Sequence, residues 1–227
     1  MSIHLQRQFD KLKKSILTLG ALVEEAVERS LRAIETRDTD LAAEVIEGDQ
    51  RIDLMEIDVE EECLHTLALH QPVAFDLRFV IVTLKINSDL ERIGDIASSI
   101  AEQTQMLASE LRPSAAPFEM RQMGRNVREM LKKSLDALVT VDPELAEQVC
   151  AQDERVDALH RESYDLVAAA IRANPEQVEQ MIQMLSVSRR LERMADHCVN
   201  IAQDVLYMAR GDIARHRGSA ARAGVRG

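Results

Sequence analysis

The chain has no tryptophan, and phenylalanine and tyrosine supply only 3 % of its 227 residues. A core must therefore be built from Leu, Ile, Val, Met and Ala. Strand-rich folds, which lean on aromatic and β-branched residues, are disfavoured. Glycine (8) and proline (5) are scarce as well, which excludes a low-complexity chain and suits long helices. Three cysteines, Cys63, Cys150 and Cys198, form an odd set without paired spacing. They read as free thiols of a reducing compartment rather than as a disulfide framework. No apolar run approaches the roughly 20 residues that span a bilayer. The opening "MSIHLQRQFDKLKK" also lacks the apolar core of a signal peptide. A cytoplasmic protein without a membrane span is expected.

Basic charge is also in short supply. The net charge is −11, so no nucleic acid is expected as a partner, because binding a phosphate backbone takes a Lys/Arg excess on one face. The exception is the terminal "RHRGSAARAGVRG", with four arginines and no acid. It reads as a basic disordered tail over residues 213–227, solvated unless it meets an anionic partner.

What remains is 46 % hydrophobic and 30 % charged, and its apolar residues step by three or four. Phe9, Leu12, Ile16, Leu19, Val23 and Ala26 mark a first helix. Leu41, Val45, Ile52, Met55 and Val59 mark a second, stopped before Pro72. Phe79, Val82, Ile86, Leu90, Ile93, Ala97 and Ile100 mark a third. After the proline-bearing "SELRPSAAP" the series repeats, with helices expected from about Phe118 to Val141, Pro143 to Arg172 and Pro175 to Arg210. The fold expected is all-α, with six long antiparallel helices in two tandem three-helix bundles. The halves fall at 1–110 and 118–212, with a linker at 111–117.

The halves are related in sequence. At an offset of 104, residues 19–53 match 123–157 at fourteen of thirty-five positions. From Leu84 onward the offset is 101, with seven matches in twenty. Shared apolar positions follow from packing alone, but shared charges do not. Asp49/Asp53 recur as Asp153/Asp157 on the second helix of each half, and Glu91/Asp95 recur as Glu192/Asp196 on the third. A four-residue spacing puts both carboxylates of a pair on one helix face, one turn apart, where they repel unless a cation lies between them.

Chance would supply about six or seven such spacings in so acidic a chain, so recurrence at equivalent positions is the informative feature. Arg51, Arg92, Arg155 and Arg193 stand beside the pairs, so a salt-bridge lattice is the structural alternative to a cation site. The seams place the acids in shallow, oxygen-rich patches where the second and third helices meet, one per half. Such patches suit magnesium, calcium, manganese or iron rather than thiolate-bound zinc. His160 and His197 could extend the second patch or sit as ordinary surface histidines. A di-iron oxidase would need Glu-x-x-His on two helices. Glu62–His65 is one match, but its counterparts are Leu166 and Ala169. With no phosphate loop and no nucleophile–base motif, a non-enzymatic protein is expected.

The words "QPVAFDLRFVIVTLKINSDLERIGDIASSIAE" and "RRLERMADHCVNIAQD" resemble the PhoU family across about residues 5–210. The resemblance implies two pseudo-symmetric three-helix bundles. It also implies metal clusters, of iron, manganese or magnesium, at Asp49, Asp53, Glu91, Asp95, Asp153, Asp157, Glu192 and Asp196. It further implies a negative regulator of the phosphate-starvation response, contacting a sensor histidine kinase and the ATPase subunit of the phosphate ABC transporter, and a homodimer is expected. Gln203 and Ser99 depart from the family pattern, against equal ion numbers in the two patches. "AFDLR" resembles a further family motif and offers Asp76 and Arg78 as a partner surface or as a helix cap with a local ion pair. A metal-dependent helical enzyme and a metal-free scaffold are the rival readings.

Overall fold

The computed structural model describes residues 3–108 and 116–211. Most of the expected linker, at 111–115, and the expected basic tail at 213–227 lie outside the described residues. Six α-helices follow one another: α1 (Ile3–Thr36), α2 (Thr39–His70), α3 (Ala74–Ala108), α4 (Met120–Thr140), α5 (Pro143–Ala173) and α6 (Val178–Arg210). Among the described residues there is no strand, and no helix is long and apolar enough to cross a membrane.

The helix boundaries follow local chemistry. Asp38 caps α2 by accepting from Leu41 N–H at 2.9 Å. Its repeat counterpart Asp142 caps α5, accepting from Glu144 and Leu145 N–H at 2.9 and 3.1 Å, with Pro143 following. Both satisfy N–H groups that a first turn leaves without helical partners. Gln71, in the left-handed region, ends α2 just before Pro72. Gly211 ends α6 at φ 73°, the conformation glycine adopts without strain, and its N–H reaches Tyr207 O at 2.9 Å. The expected start of the last helix needs one correction. Pro175–Gln177 forms a separate 3-10 turn, and α6 begins only at Val178.

Helices α1–α3 form one antiparallel bundle and α4–α6 the other; a large apolar core runs through both, and a small separate cluster of Ala33, Leu41, Ala42, Val45 and Ala101 lies in the first. Leu12, Leu19, Ile86, Leu90 and Ile93 fill the first half, and Met123, Met130, Leu131 and Leu191 the second, all essentially fully buried. The halves meet through α1 against α4 and α3 against α6. A Cβ placed on Gly20 of α1 would come 2.9 Å from Leu135 Cδ2 of α4, and one on Gly124 of α4 would come 3.2 Å from Leu31 Cδ2 of α1. Gly20 corresponds to Gly124 and Leu31 to Leu135 at the 104-residue offset. Each half thus presses the same leucine into the same glycine of the other, a pseudo-twofold contact.

The α3–α6 seam carries polar stitches. Lys85 Nζ reaches the buried Asp204 carboxylate at 3.3 Å and lies 5.6 Å from the Tyr207 ring centroid. Asp89 Oδ1 receives Asn200 Nδ2 at 3.2 Å and meets His197 Nδ1 at 2.8 Å. Buried Gln103 meets Gln183 and Arg190. His197 is therefore no free surface group, and its charge also acts on Asp196 of the second patch. It ties one half to the other.

Candidate metal centre

The first patch forms where α2 crosses α3. Carboxylate oxygens of Asp49 and Asp53 from α2 and Asp95 from α3 lie within 4.8 Å of one another. Asp49 and Asp95 are half-buried and Asp53 is exposed, so the patch is shallow, as the seam positions imply. Glu91, one turn before Asp95, stands against the same group. The close crossing depends on Gly94, because a Cβ there would sit 3.1 Å from two carbons of Ile52 and 3.7 Å from Asp49 Oδ1. Ala195 holds the corresponding place in the second half.

The electrostatics are those of a site with an excess of like charge. Partial burial, then Asp53 and Asp95, push the Asp49 carboxyl up; a hydrogen bond with Ser98 opposes them, and Glu102 adds to the rise. Burial and Asp95 raise Glu91, against Arg92, with Glu56 and Asp53 adding to the rise. Burial raises Glu56 too, with Glu60 and Asp53 contributing. Arg92 meets Glu91 at 3.5 Å and Asp95 at 3.6 Å, but its side chain is 58 % exposed. Water screens such a contact, and the net shift of Glu91 is upward despite it. Glu56, the repeat counterpart of His160, is a possible ligand on sequence grounds, whereas Ser98 and Glu102 were not singled out from sequence. Glu102 follows Asp95 by seven residues, a helical spacing that an acid-rich chain makes easy to overlook.

The second patch has the same members in a looser arrangement. Burial raises Glu192, followed by Asp196, Asp157 and Asp153, with Arg193 opposing. Burial and Asp157 raise Asp196, against His197 and Arg193. Asp153, Asp157 and Glu192 are half-buried and Asp196 is exposed. All four expected acids thus share one electrostatic neighbourhood, but among the described residues no three of them converge as the first patch does. Arg161 takes Asp157 at 3.5 Å as an exposed i,i+4 pair.

Hard cations take clusters of carboxylate oxygens from flexible, partly hydrated positions. The donor set of the first patch fits such an ion: three acids already close, a fourth beside them and two more within electrostatic reach. Elsewhere the candidates resolve differently. Glu62 is engaged by Lys11 at 2.7 Å and by Ser15 at 3.1 Å, so the Glu62–His65 match is part of an α1–α2 contact. Asp76 lies in the first turn of α3, where its N–H reaches Val73 O at 3.1 Å. Arg78 is half-buried, with its guanidinium beside Gly211 at the end of α6.

The PhoU domain model matches residues 16–104 and 120–205, one match over each bundle and each including one acidic patch. The chain belongs to the PhoU family. The phosphate-specific transport system accessory protein PhoU homolog of Pseudomonas putida is 34 % identical over 219 residues, covering 95 % of this chain and 86 % of the relative. The PhoU homolog of Aquifex aeolicus is 35 % identical over 214 residues, with 94 % and 96 % covered. The crystal structure of PhoU from Pseudomonas aeruginosa superimposes with a TM-score of 0.88 at 34 % identity, covering 91 % of this chain and 99 % of that one. The phosphate transport system regulatory protein PhoU from Streptococcus pneumoniae gives 0.82 at 30 % identity, covering 92 % and 98 %. The two-bundle architecture expected from the repeat is thus the PhoU fold.

Proposed function

We propose that this protein is a cytoplasmic, non-enzymatic regulator of phosphate uptake. In this reading it represses the phosphate-starvation response by coupling a phosphate ABC transporter, through its ATPase subunit, to a sensor histidine kinase. The observation that carries the reading is full-length similarity to PhoU proteins named as accessory or regulatory to phosphate transport. The working unit is the pair of bundles, 1–110 and 118–212, joined at 111–117 and followed by the basic segment 213–227.

Metal ions held by Asp49, Asp53, Glu91 and Asp95, and by Asp153, Asp157, Glu192 and Asp196, are part of the proposal. Burial first, and then neighbouring acids, raise Asp49, Glu91, Glu192 and Asp196, and iron, manganese or magnesium would relieve the repulsive part. Partner contact through the α2–α3 turn is supported by its exposed apolar side chains. Leu69 is 76 % and Val73 73 % exposed, close in sequence to Asp76 and Arg78. A second copy of the chain completes the proposed assembly as a homodimer.

The test is a phosphate-starvation reporter in phosphate-replete cells lacking the gene. Wild type should silence the reporter, and a variant with Glu91, Asp95, Glu192 and Asp196 changed to alanine should report whether the patches take part. A reporter that stays on with wild-type protein present would sink the regulatory reading. Metal retained at wild-type stoichiometry by the variant would remove these four acids as ligands.

A further inference from the structure

The outward face of α2 carries apolar residues that its own bundle does not use. The buried residues of the helix, among them Leu41, Val45, Ile52, Val59 and Cys63, face the bundle. At 100° per residue the opposite side is Gln50, Leu54, Ile57, Glu61, Leu64 and Ala68, all exposed. These positions alternate steps of four and three, the spacing of a seam between two helices. Leu54, Ile57 and Leu64 are 58 %, 49 % and 52 % exposed.

Single apolar side chains facing water are ordinary, but the internal repeat sets these three apart. At the 104-residue offset their counterparts on α5 are Ala158, Arg161 and Ala168, with Asp165 in the place of Glu61. Ala158, Arg161 and Asp165 are exposed, so both halves turn the same face outward. One half fills that face with alanine and arginine, and the other with leucine and isoleucine. Packing within the bundle does not call for the difference. An apolar stripe of this kind marks a face that another molecule covers.

The charge around the stripe selects what covers it. Helix α2 holds ten acids and one arginine, a net charge of −9 in a chain of −11. Asp53 and Glu60 border the stripe on one side, Asp58 borders it on the other and Glu61 lies within it, all exposed. A second copy laid on this face would set these acids against their own kind, so the proposed homodimer uses another surface. An anionic bilayer would be repelled in the same way. The chain's own segment 213–227 has four arginines, but its large apolar residues are only Ile213 and Val225, too few to match the stripe.

We propose that the outer face of α2 docks an amphipathic helix of another protein, one whose apolar stripe is bordered by lysine and arginine. Leu54, Ile57 and Leu64 pack between its apolar side chains, and Asp53, Asp58, Glu60 and Glu61 meet its cations. Leu54 and Leu64 lie about 15 Å apart along the helix axis, so about three turns of the partner are engaged. The face is separate from the α2–α3 turn and needs no metal ion. Its failure would leave the phosphate and metal readings standing, and theirs would leave it standing.

The test uses the full chain and a fluorescein-labelled helical peptide of about five turns, with a leucine stripe bordered by lysine. The same peptide with glutamate in place of lysine is the control. Fluorescence anisotropy should show the lysine peptide bound and the glutamate peptide free, with affinity falling as salt rises. Leu54→Ser, Ile57→Ser and Leu64→Ser together should weaken binding by about 10-fold or more. Helix content by circular dichroism should not change, because all three side chains already face water. Val139→Ser, which alters a comparably exposed residue on α4, should bind as wild type does. Equal binding by the triple-serine variant would reduce the effect to attraction by the acids alone and overturn the proposal, as would no binding of the lysine peptide. A wild-type dimer that the triple-serine variant splits in sedimentation would give the face to a second copy. Tighter peptide binding after changing Arg215, Arg217, Arg222 and Arg226 to glutamine would give it to the chain's own basic segment. Either result would also overturn the proposal.

Discussion

The first patch makes a quantitative demand on the metal-free protein: removing one of its charges should stabilise it. Oxygens of Asp49, Asp53 and Asp95 lie within 4.8 Å of one another. At that separation two unit charges repel by about 0.9 kcal/mol in bulk water and by about 3.5 kcal/mol at an effective permittivity of about 20. The patch is shallow and Asp53 exposed, so the watery limit governs. Asp53 faces two neighbours, giving about 2 kcal/mol of repulsion before screening and about 1 kcal/mol in ordinary salt. Asp53→Asn keeps the shape and removes the charge.

For a chain of this length 1 kcal/mol moves Tm by about 2–4 °C. Thermal unfolding after exhaustive chelation should place Asp53→Asn above wild type by that amount, with the gap narrowing in high salt. With saturating Mn2+ the order should reverse, because an ion bound only by the folded state stabilises it and the variant has lost a ligand. A metal-free Asp53→Asn protein that melts at or below wild type would refute the claim that like charge dominates the patch.

Other outcomes can be measured on the same material. Asp49, Glu91, Glu192 and Asp196 have raised carboxyl groups, so over that window the folded chain holds protons that the unfolded chain has released. Their contribution to stability therefore falls as pH rises from the ordinary carboxylate range through the raised one, and is regained on acidification. Converting these four to Asn and Gln should flatten that part of the metal-free Tm–pH profile, and an unchanged slope would contradict the assignment. The Cys63 thiol is pushed up to about 12 and Cys150 to about 11 by burial first, with nearby acids adding, and Cys198 is raised by complete burial. A thiol-specific reagent should label Cys150, the least buried, before the other two, and all three only on unfolding; rapid native labelling of Cys198 would contradict the packing. Gly20→Val should cost about 1–3 kcal/mol by overpacking against Leu135. Leu135→Ala in the same chain should recover part of that loss in urea unfolding, and additive losses would argue against the contact.

The fold was legible because each helix writes its seam in Leu, Ile, Val and Met at three- and four-residue steps, with Asp38 and Asp142 marking matching starts. Pro175 was less informative, since a proline suits the first turn of either helix type. The acidic pairs stood out only because the chain contains them twice. Glu102 did not, since its counterpart is Gln203 and self-comparison passes over positions that differ between the halves. The role of His197 depends on the register of α3 against α6, which brings it to Asp89 across 108 residues of chain. No local periodicity encodes that register.

The paired glycine–leucine contact between α1 and α4 has an evolutionary consequence. In an association of two identical subunits, every substitution appears on both sides of the axis at once, so a change useful to one site is imposed on the other. Here the two partners are covalently joined, and the tether supplies the high local concentration that free subunits would need mass action to reach. The chain can therefore keep the symmetric clasp of Gly20 with Leu135 and Gly124 with Leu31 while changing the residues of its acidic patches one side at a time. Glu56 and its counterpart His160 differ in this way. Fusion thus separates what must stay alike, the packing, from what is free to specialise, the two surfaces.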